Sequence, residues 1–236
     1  MSPEAGRKIH ELVKQERARF VLELGFNWGV SSCYIAAALK RNRGHLVTID
    51  LASRAAFDPG IESFLSQLGL DDTSTVFFES STYNWRLREF LRMPEPPVFD
   101  LIFLDGAHLF EPDGLAFILG ERLLRGGGLF LFDDYRWTIE GSPHFQRNPG
   151  QVQHYSEQEK SMPHVKEVFE LLVQPHPNVT ETWLDGPWAF ARKRAEALPA
   201  RAAVPIDKLR AAAAVCRVEA KNRHPTAVQL APAPKG

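Results

Sequence analysis

Five short apolar runs punctuate residues 19–134, and a helical pattern fills each interval between them. They are Arg19–Leu24, His45–Asp50, Thr75–Phe78, Val98–Leu104 and Leu129–Phe132, each closing on or beside an acid or a glycine. Strands separated by a helix-length crossover pair in parallel, and the crossover is right-handed. Val98–Leu104 is almost continuously apolar, as expected of a central strand covered on both faces. The spacing predicts an α/β chain with a Rossmann-like, doubly wound, mostly parallel sheet. Val179–Leu184 and Trp188–Arg192 flank Asp185-Gly186-Pro187 and read as a terminal antiparallel pair. With them the sheet has seven strands.

Helices are expected near Ala5–Lys14, Ser31–Lys40, Gly60–Leu68, Trp85–Leu91, Pro112–Leu124 and Met162–Leu172. Ser31 or Ser32 is available to cap the second of these, and Gly126-Gly127-Gly128 to end the fifth. Residues 135–156 hold no sustained period and read as a long loop over one end of the sheet. Past Lys193 the chain becomes alanine-rich and basic, with nine basic and three acidic side chains in residues 192–223. We therefore expect a domain over residues 1–194 and a C-terminal extension over 195–236, partly helical or disordered. Ala211–Val218 suits a helix, and Ala231–Gly236 reads as unstructured.

A net charge of −1 gives no global attraction to nucleic acid or to an anionic membrane. Cys33 and Cys216 form no CxxC pair, which argues against a disulfide scaffold or a structural zinc site. No apolar run reaches the roughly 18 residues that would span a bilayer. The polar start of the chain lacks a signal peptide's apolar stretch, so a cytoplasmic location is expected. Self-association stays open.

The first strand runs into Glu23-Leu24-Gly25-Phe26-Asn27-Trp28-Gly29-Val30-Ser31. Glycines there let the backbone turn sharply and approach a ligand. The spacing is GxxxG rather than GxGxxG, and no P-loop lysine follows, which weakens a dinucleotide or phosphate reading. Glu23, before the first glycine, suits a ligand bearing an amino group. Asp50 ends the second strand, where a carboxylate can accept both hydroxyls of a ribose. Together these residues resemble motif I and the following acid of the class I S-adenosylmethionine-dependent methyltransferases, over about Phe20 to Arg192. The resemblance implies that Glu23, Gly25, Phe26, Asn27, Gly29, Ser31, Asp50, Ser81 and Asp105 surround S-adenosylmethionine. Relatives often carry Gly-Asp-Ser where this chain has Glu79-Ser80-Ser81, so only Ser81 matches there. Phe57 and Trp85 are aromatic candidates for the adenine faces.

Asp105 closes the fourth strand and Asp133-Asp134 the fifth, at one edge of a parallel sheet where ligands bind. Three carboxylates converging there suit Mg2+, with Mn2+ or Ca2+ chemically possible. Leu104-Asp105-Gly106-Ala107-His108, Arg125-Gly126-Gly127-Gly128 and Phe132-Asp133-Asp134-Tyr135 are similar to the metal-dependent O-methyltransferases of antibiotic sugars and related natural products. That similarity implies metal ligands at Asp105, Asp133 and Asp134 and a hydroxylated small-molecule acceptor. Sugar-modifying relatives carry an acid two residues after the first metal aspartate, where this chain has Ala107. His108 is the candidate base, with His144 and His154 weaker ones. Tyr135, Arg136 and Trp137 begin the loop expected to select the substrate. A metal-independent N- or carboxyl-methyltransferase, a non-catalytic cofactor-binding or interaction domain, and a dinucleotide oxidoreductase stay open as alternatives.

Overall fold

The computed structural model describes residues 1–195 and 205–222. In chain order it runs α1 (Pro3–Gln15), β1 (Phe20–Leu24), α2 (Val30–Asn42), β2 (His45–Leu51), α3 (Ile61–Gln67), β3 (Ser74–Glu79), α4 (Tyr83–Arg92) and β4 (Phe99–Leu104). It continues with α5 (Phe110–Glu121), β5 (Leu124–Phe132), α6 (Pro143–Arg147), α7 (Glu157–Ser161), α8 (His164–Val168), β6 (Val179–Asp185), β7 (Trp188–Lys193) and α9 (Ile206–Asn222). The seven strands lie in the order β3-β2-β1-β4-β5-β7-β6. β1 to β5 pair in parallel, and β7 runs antiparallel between β5 and β6. The doubly wound, seven-stranded sheet expected from the spacing is the one observed.

Why the strands pair this way follows from their side chains. β1, β2, β3 and β4 are buried almost throughout, so each needs cover on both faces. One apolar layer joins Leu22, Leu24, Ile49, Phe77, Ile102 and Phe130 to α4, α5 and α8. The other joins Val21, Leu46, Val76, Leu101 and Leu131 to α1, α2 and α3. Successive residues alternate between the two, as the period of a strand demands. β1 and β4 sit side by side, and the connections leaving them run to opposite faces of the sheet. That junction opens a crevice at the carboxyl ends of the strands.

Several boundaries differ from the expected ones. α2 begins after Gly29, which sits at φ +82° with no side-chain cap, so neither Ser31 nor Ser32 caps it. Both serines are buried in the first turn instead. Gly126-Gly127-Gly128 does not end α5; the glycines lie inside β5, which starts at Leu124. The expected loop over 135–156 contains the short α6 and a following 3-10 turn. α8 passes into a single π turn at Phe169–Val173. α9 lies against β3 and the 3-10 turn Ala52–Ala56, with Leu209 wholly buried. Residues Ala231–Gly236 lie outside the described residues.

Candidate active site

The glycine loop is held by its own structure. Gly25 has φ +91°, and a Cβ there would stand 2.1 Å from the Asp105 carbonyl oxygen. Glycine is needed for this close approach of the loops after β1 and β4. Gly25 N–H donates to the Ile49 carbonyl at 2.8 Å and Gly29 N–H to the Phe26 carbonyl at 2.7 Å. Asp50 Oδ2 accepts from Phe26 N–H at 2.9 Å and Asn27 N–H at 2.7 Å, while its Oδ1 accepts from Leu51 N–H at 2.7 Å. Four loop amides are thus bonded within the protein. A pyrophosphate cradle requires such amides to face the ligand. This loop fits a ligand that asks for close backbone contact without anion binding.

Glu23 is fully buried at the end of β1. Its Oε2 accepts from Thr48 Oγ1 at 2.6 Å and from Ser32 Oγ. The acid therefore ties β1 to β2 and to the first turn of α2, and Ser31 lies buried beside that turn. Burial, with Glu23 adding to it, pushes the Cys33 thiol up to about 11. On the far side of the loop, Trp28 is half exposed and stacks on Phe57 at 4.1 Å between ring centroids. Arg54 lies 5.0 Å over Phe57 and 3.9 Å from Asp50 Oδ2. Trp85, the other aromatic candidate, is exposed under Arg88. Ser81 is exposed between β3 and α4.

The acids after β4 and β5 separate into two settings. Ligand atoms of Asp105, His108 and Asp134 lie within 4.8 Å of one another. His108 Nε2 stands 3.3 Å from Asp105 Oδ1 and 3.7 Å from Asp134 Oδ2. Asp105 and His108 are buried, whereas Asp134 is part-exposed and opens the cluster outward. Beside them, Asp133 Oδ1 accepts from Trp188 Nε1 at 2.9 Å and from Asp134 N–H at 2.9 Å. Of the expected metal ligands, Asp105 and Asp134 thus share a cluster with His108. Burial, reinforced by the charge of Asp134, pushes the Asp133 carboxyl up to about 6.

One buried and one part-exposed carboxylate with an imidazole form a donor set that suits a divalent cation accepting both oxygen and nitrogen. The same geometry suits a base, since Asp105 can orient the His108 ring. The ring of Trp137 lies 5.4 Å from that of His108, and Phe145 packs edge-on against Trp137. His144 bonds Gln151 and packs on Phe145, His154 packs on Tyr155, and neither is in the cluster.

Two contributors escaped the sequence reading. Asp113, in the first turn of α5, is buried, and the Tyr83 hydroxyl donates to its Oδ1. Burial pushes the Asp113 carboxyl up, against the charge of His108 and hydrogen bonds from Tyr83 and from the Ala107 and His108 backbones. Burial and the nearby Asp113 hold the Tyr83 phenol well above its ordinary range, so it remains a donor. An acid just after Pro112 carries the signature of an ordinary helix start, and only its burial marks it out.

Residues 22–135 match a family model described as a methyltransferase domain. That stretch runs from β1 to the residue after Asp134. No curated protein matches the chain. Among solved structures, an O-methyltransferase from Bacillus cereus in complex with SAH (S-adenosylhomocysteine) is 21% identical. It aligns over 82% of this chain and 82% of its own, with a TM-score of 0.60. TomG from Streptomyces achromogenes, an O-methyltransferase involved in tomaymycin synthesis and solved with SAM (S-adenosylmethionine), is also 21% identical. It covers 82% of this chain and 81% of its own, with a TM-score of 0.59. Likeness at this level establishes a common fold.

Proposed function

We propose, from the premise that this chain carries a methyltransferase domain, that it transfers a methyl group from S-adenosylmethionine to a hydroxyl of a small molecule. The observation that carries this reading is the β1–β4 crevice, where a glycine loop with internally bonded amides meets the Asp105, His108 and Asp134 cluster. The Gly25–Gly29 loop, with Phe26 and Asn27, lines the methionine side, and Asp50 lies where a ribose would be held. Glu23, bonded by Ser32, braces that loop from beneath, and Ser31 lies buried in the same turn. Ser81 and Phe57 stand toward the adenine side. Residues 1–194 serve as the catalytic domain and 195–236 as its extension.

Methyl transfer from a sulfonium needs alignment more than covalent help. His108 takes the hydroxyl proton as the new carbon–oxygen bond forms and the carbon–sulfur bond breaks. Asp105 orients the imidazole, its Oδ1 standing 3.3 Å from Nε2. Asp105 and Asp134 would hold a divalent ion, Mg2+ or Mn2+, beside the free His108 imidazole, with Asp133 fixing the turn next to them. Such an ion supplies acidification of a bound hydroxyl. Trp137 and Phe145, with Tyr135 and Arg136 at the start of the same loop, wall the acceptor's side. The cysteines Cys33 and Cys216 are both unpaired, which supports a reducing, cytoplasmic setting.

A metal-independent transferase is the second reading. The bond from Trp188 to Asp133 Oδ1 favours it, because that oxygen is then engaged by the fold. Calorimetry with S-adenosylmethionine and S-adenosylhomocysteine tests the shared premise, and the absence of binding to either rejects both. Turnover of hydroxylated acceptors in EDTA, then with Mg2+ restored, separates them. Full activity in EDTA removes the metal and leaves His108 as the base.

A further inference from the structure

The loop that carries Asp105 and His108 is gripped from behind by two helix starts. Tyr83 opens α4 and Asp113 lies in the first turn of α5, and the Tyr83 hydroxyl donates to Asp113 Oδ1. Ala107 N–H donates to the Tyr83 oxygen at 3.3 Å, so the phenol links the loop amide to Asp113. Asn84 Nδ2 reaches the Pro112 carbonyl at 2.9 Å, tying the same two helices together. Gly106 lies flat on the phenol ring, where a Cβ would stand 2.5 Å from it. His108 adopts φ +55°, a conformation that non-glycine residues hold only when their surroundings impose it.

A carboxyl at the start of a helix ordinarily faces water. Asp113 is 1% exposed, and a buried carboxyl is costly unless a donor meets it. Tyr83 is that donor, and its oxygen in turn takes the Ala107 N–H. Neither residue is among the three side chains that cluster at the crevice. We infer that Tyr83 and Asp113 are a positioning pair, which fixes the left-handed turn at His108 and thereby aims its imidazole between Asp105 and Asp134. This rests on the reading of that cluster as the reacting centre, although the pair's grip on the loop can be measured without it.

The test uses the full chain carrying Tyr83→Phe, Asp113→Ala or Asp113→Asn. Hydrogen exchange of the Ala107 amide should quicken about tenfold or more, since Tyr83→Phe removes its acceptor and Asp113→Ala removes the partner that holds that acceptor. In long-range proton–nitrogen spectra the His108 ring signals should move while those of the other seven histidines stay in place. Affinity for S-adenosylhomocysteine should hold within about threefold, while kcat falls roughly 10- to 100-fold with KM for S-adenosylmethionine little changed. Asp113→Asn keeps an acceptor and should recover most of the exchange protection. Unchanged exchange and ring signals in a folded Tyr83→Phe protein would overturn the inference. That variant removes one hydroxyl and decides the matter even if Asp113→Ala fails to fold. If the unaltered chain binds S-adenosylhomocysteine yet methylates no hydroxylated acceptor, the methyl-transfer reading falls. Exchange and ring signals then still decide whether the pair fixes the loop.

Discussion

At the scale of single residues, burial decides chemistry that composition leaves open. His45 is buried at the start of β2, with Nε2 2.8 Å from Thr75 Oγ1. Burial, and then the charge of Arg210, lower its pKa to about 4. The unfolded imidazole titrates near 6.5. Between those values the unfolded chain binds more protons, so the contribution is complete above about 6.5 and is lost as pH falls toward 4. Urea denaturation at pH 7 and pH 4.5 should show the native chain losing on the order of 2–3 kcal/mol more than His45→Asn. Equal losses would show that His45 is not the group responsible. Cys33, its thiol raised to about 11, should resist iodoacetamide at pH 8 in the folded state. Rapid labelling, read by mass spectrometry, would contradict its burial. Asp105, His108 and Asp134 were legible because acids and a histidine at strand ends stand out against apolar runs. The orientation of Asp133 was not, because it depends on Trp188, which arrives 55 residues later in the chain.

Elements were legible wherever period and punctuation agreed. β1 to β4 and α1 to α4 begin and end within a few residues of the expected positions. Gly126-Gly127-Gly128 misled because glycine is the usual helix stop, yet β5 pairs with β4 on both sides of it, at Leu124 and from Leu129, with the glycines in the irregularity between. The serines of α2 misled for a related reason. Ser32 spends its hydroxyl on Glu23, a tertiary contact that local cap preferences cannot anticipate. Gly25→Ala tests the glycine loop as an element, since it adds a Cβ where φ is positive and a carbonyl is already in place. We expect a loss of at least ~2 kcal/mol in urea denaturation, with no binding of S-adenosylhomocysteine by calorimetry. A stable, binding-competent variant would refute that account of the loop. For α9, Leu209→Ala should cost about 2–4 kcal/mol, because a wholly buried leucine leaves a cavity against the core. A negligible change would mean that the extension is not part of the domain's stability.

For the whole molecule, the parallel order could be argued from crossover lengths, but the placing of β7 between β5 and β6 required the structure. That strand brings Trp188 to Asp133 and so shapes the acid cluster from the far end of the sequence. Among the described residues no helix is long and apolar enough to cross a membrane. At this scale the decisive measurement is turnover with and without chelator. Loss of at least about 90% of activity in EDTA and recovery with Mg2+ is the outcome expected of a metal-assisted site. Asp50 has one more consequence. By bonding Phe26 and Asn27 it fixes the shape of that turn from within the fold, so the ordering of those residues belongs to folding. On the proposed reading, the sulfonium would dock into a finished mould, at little cost in ordering the loop.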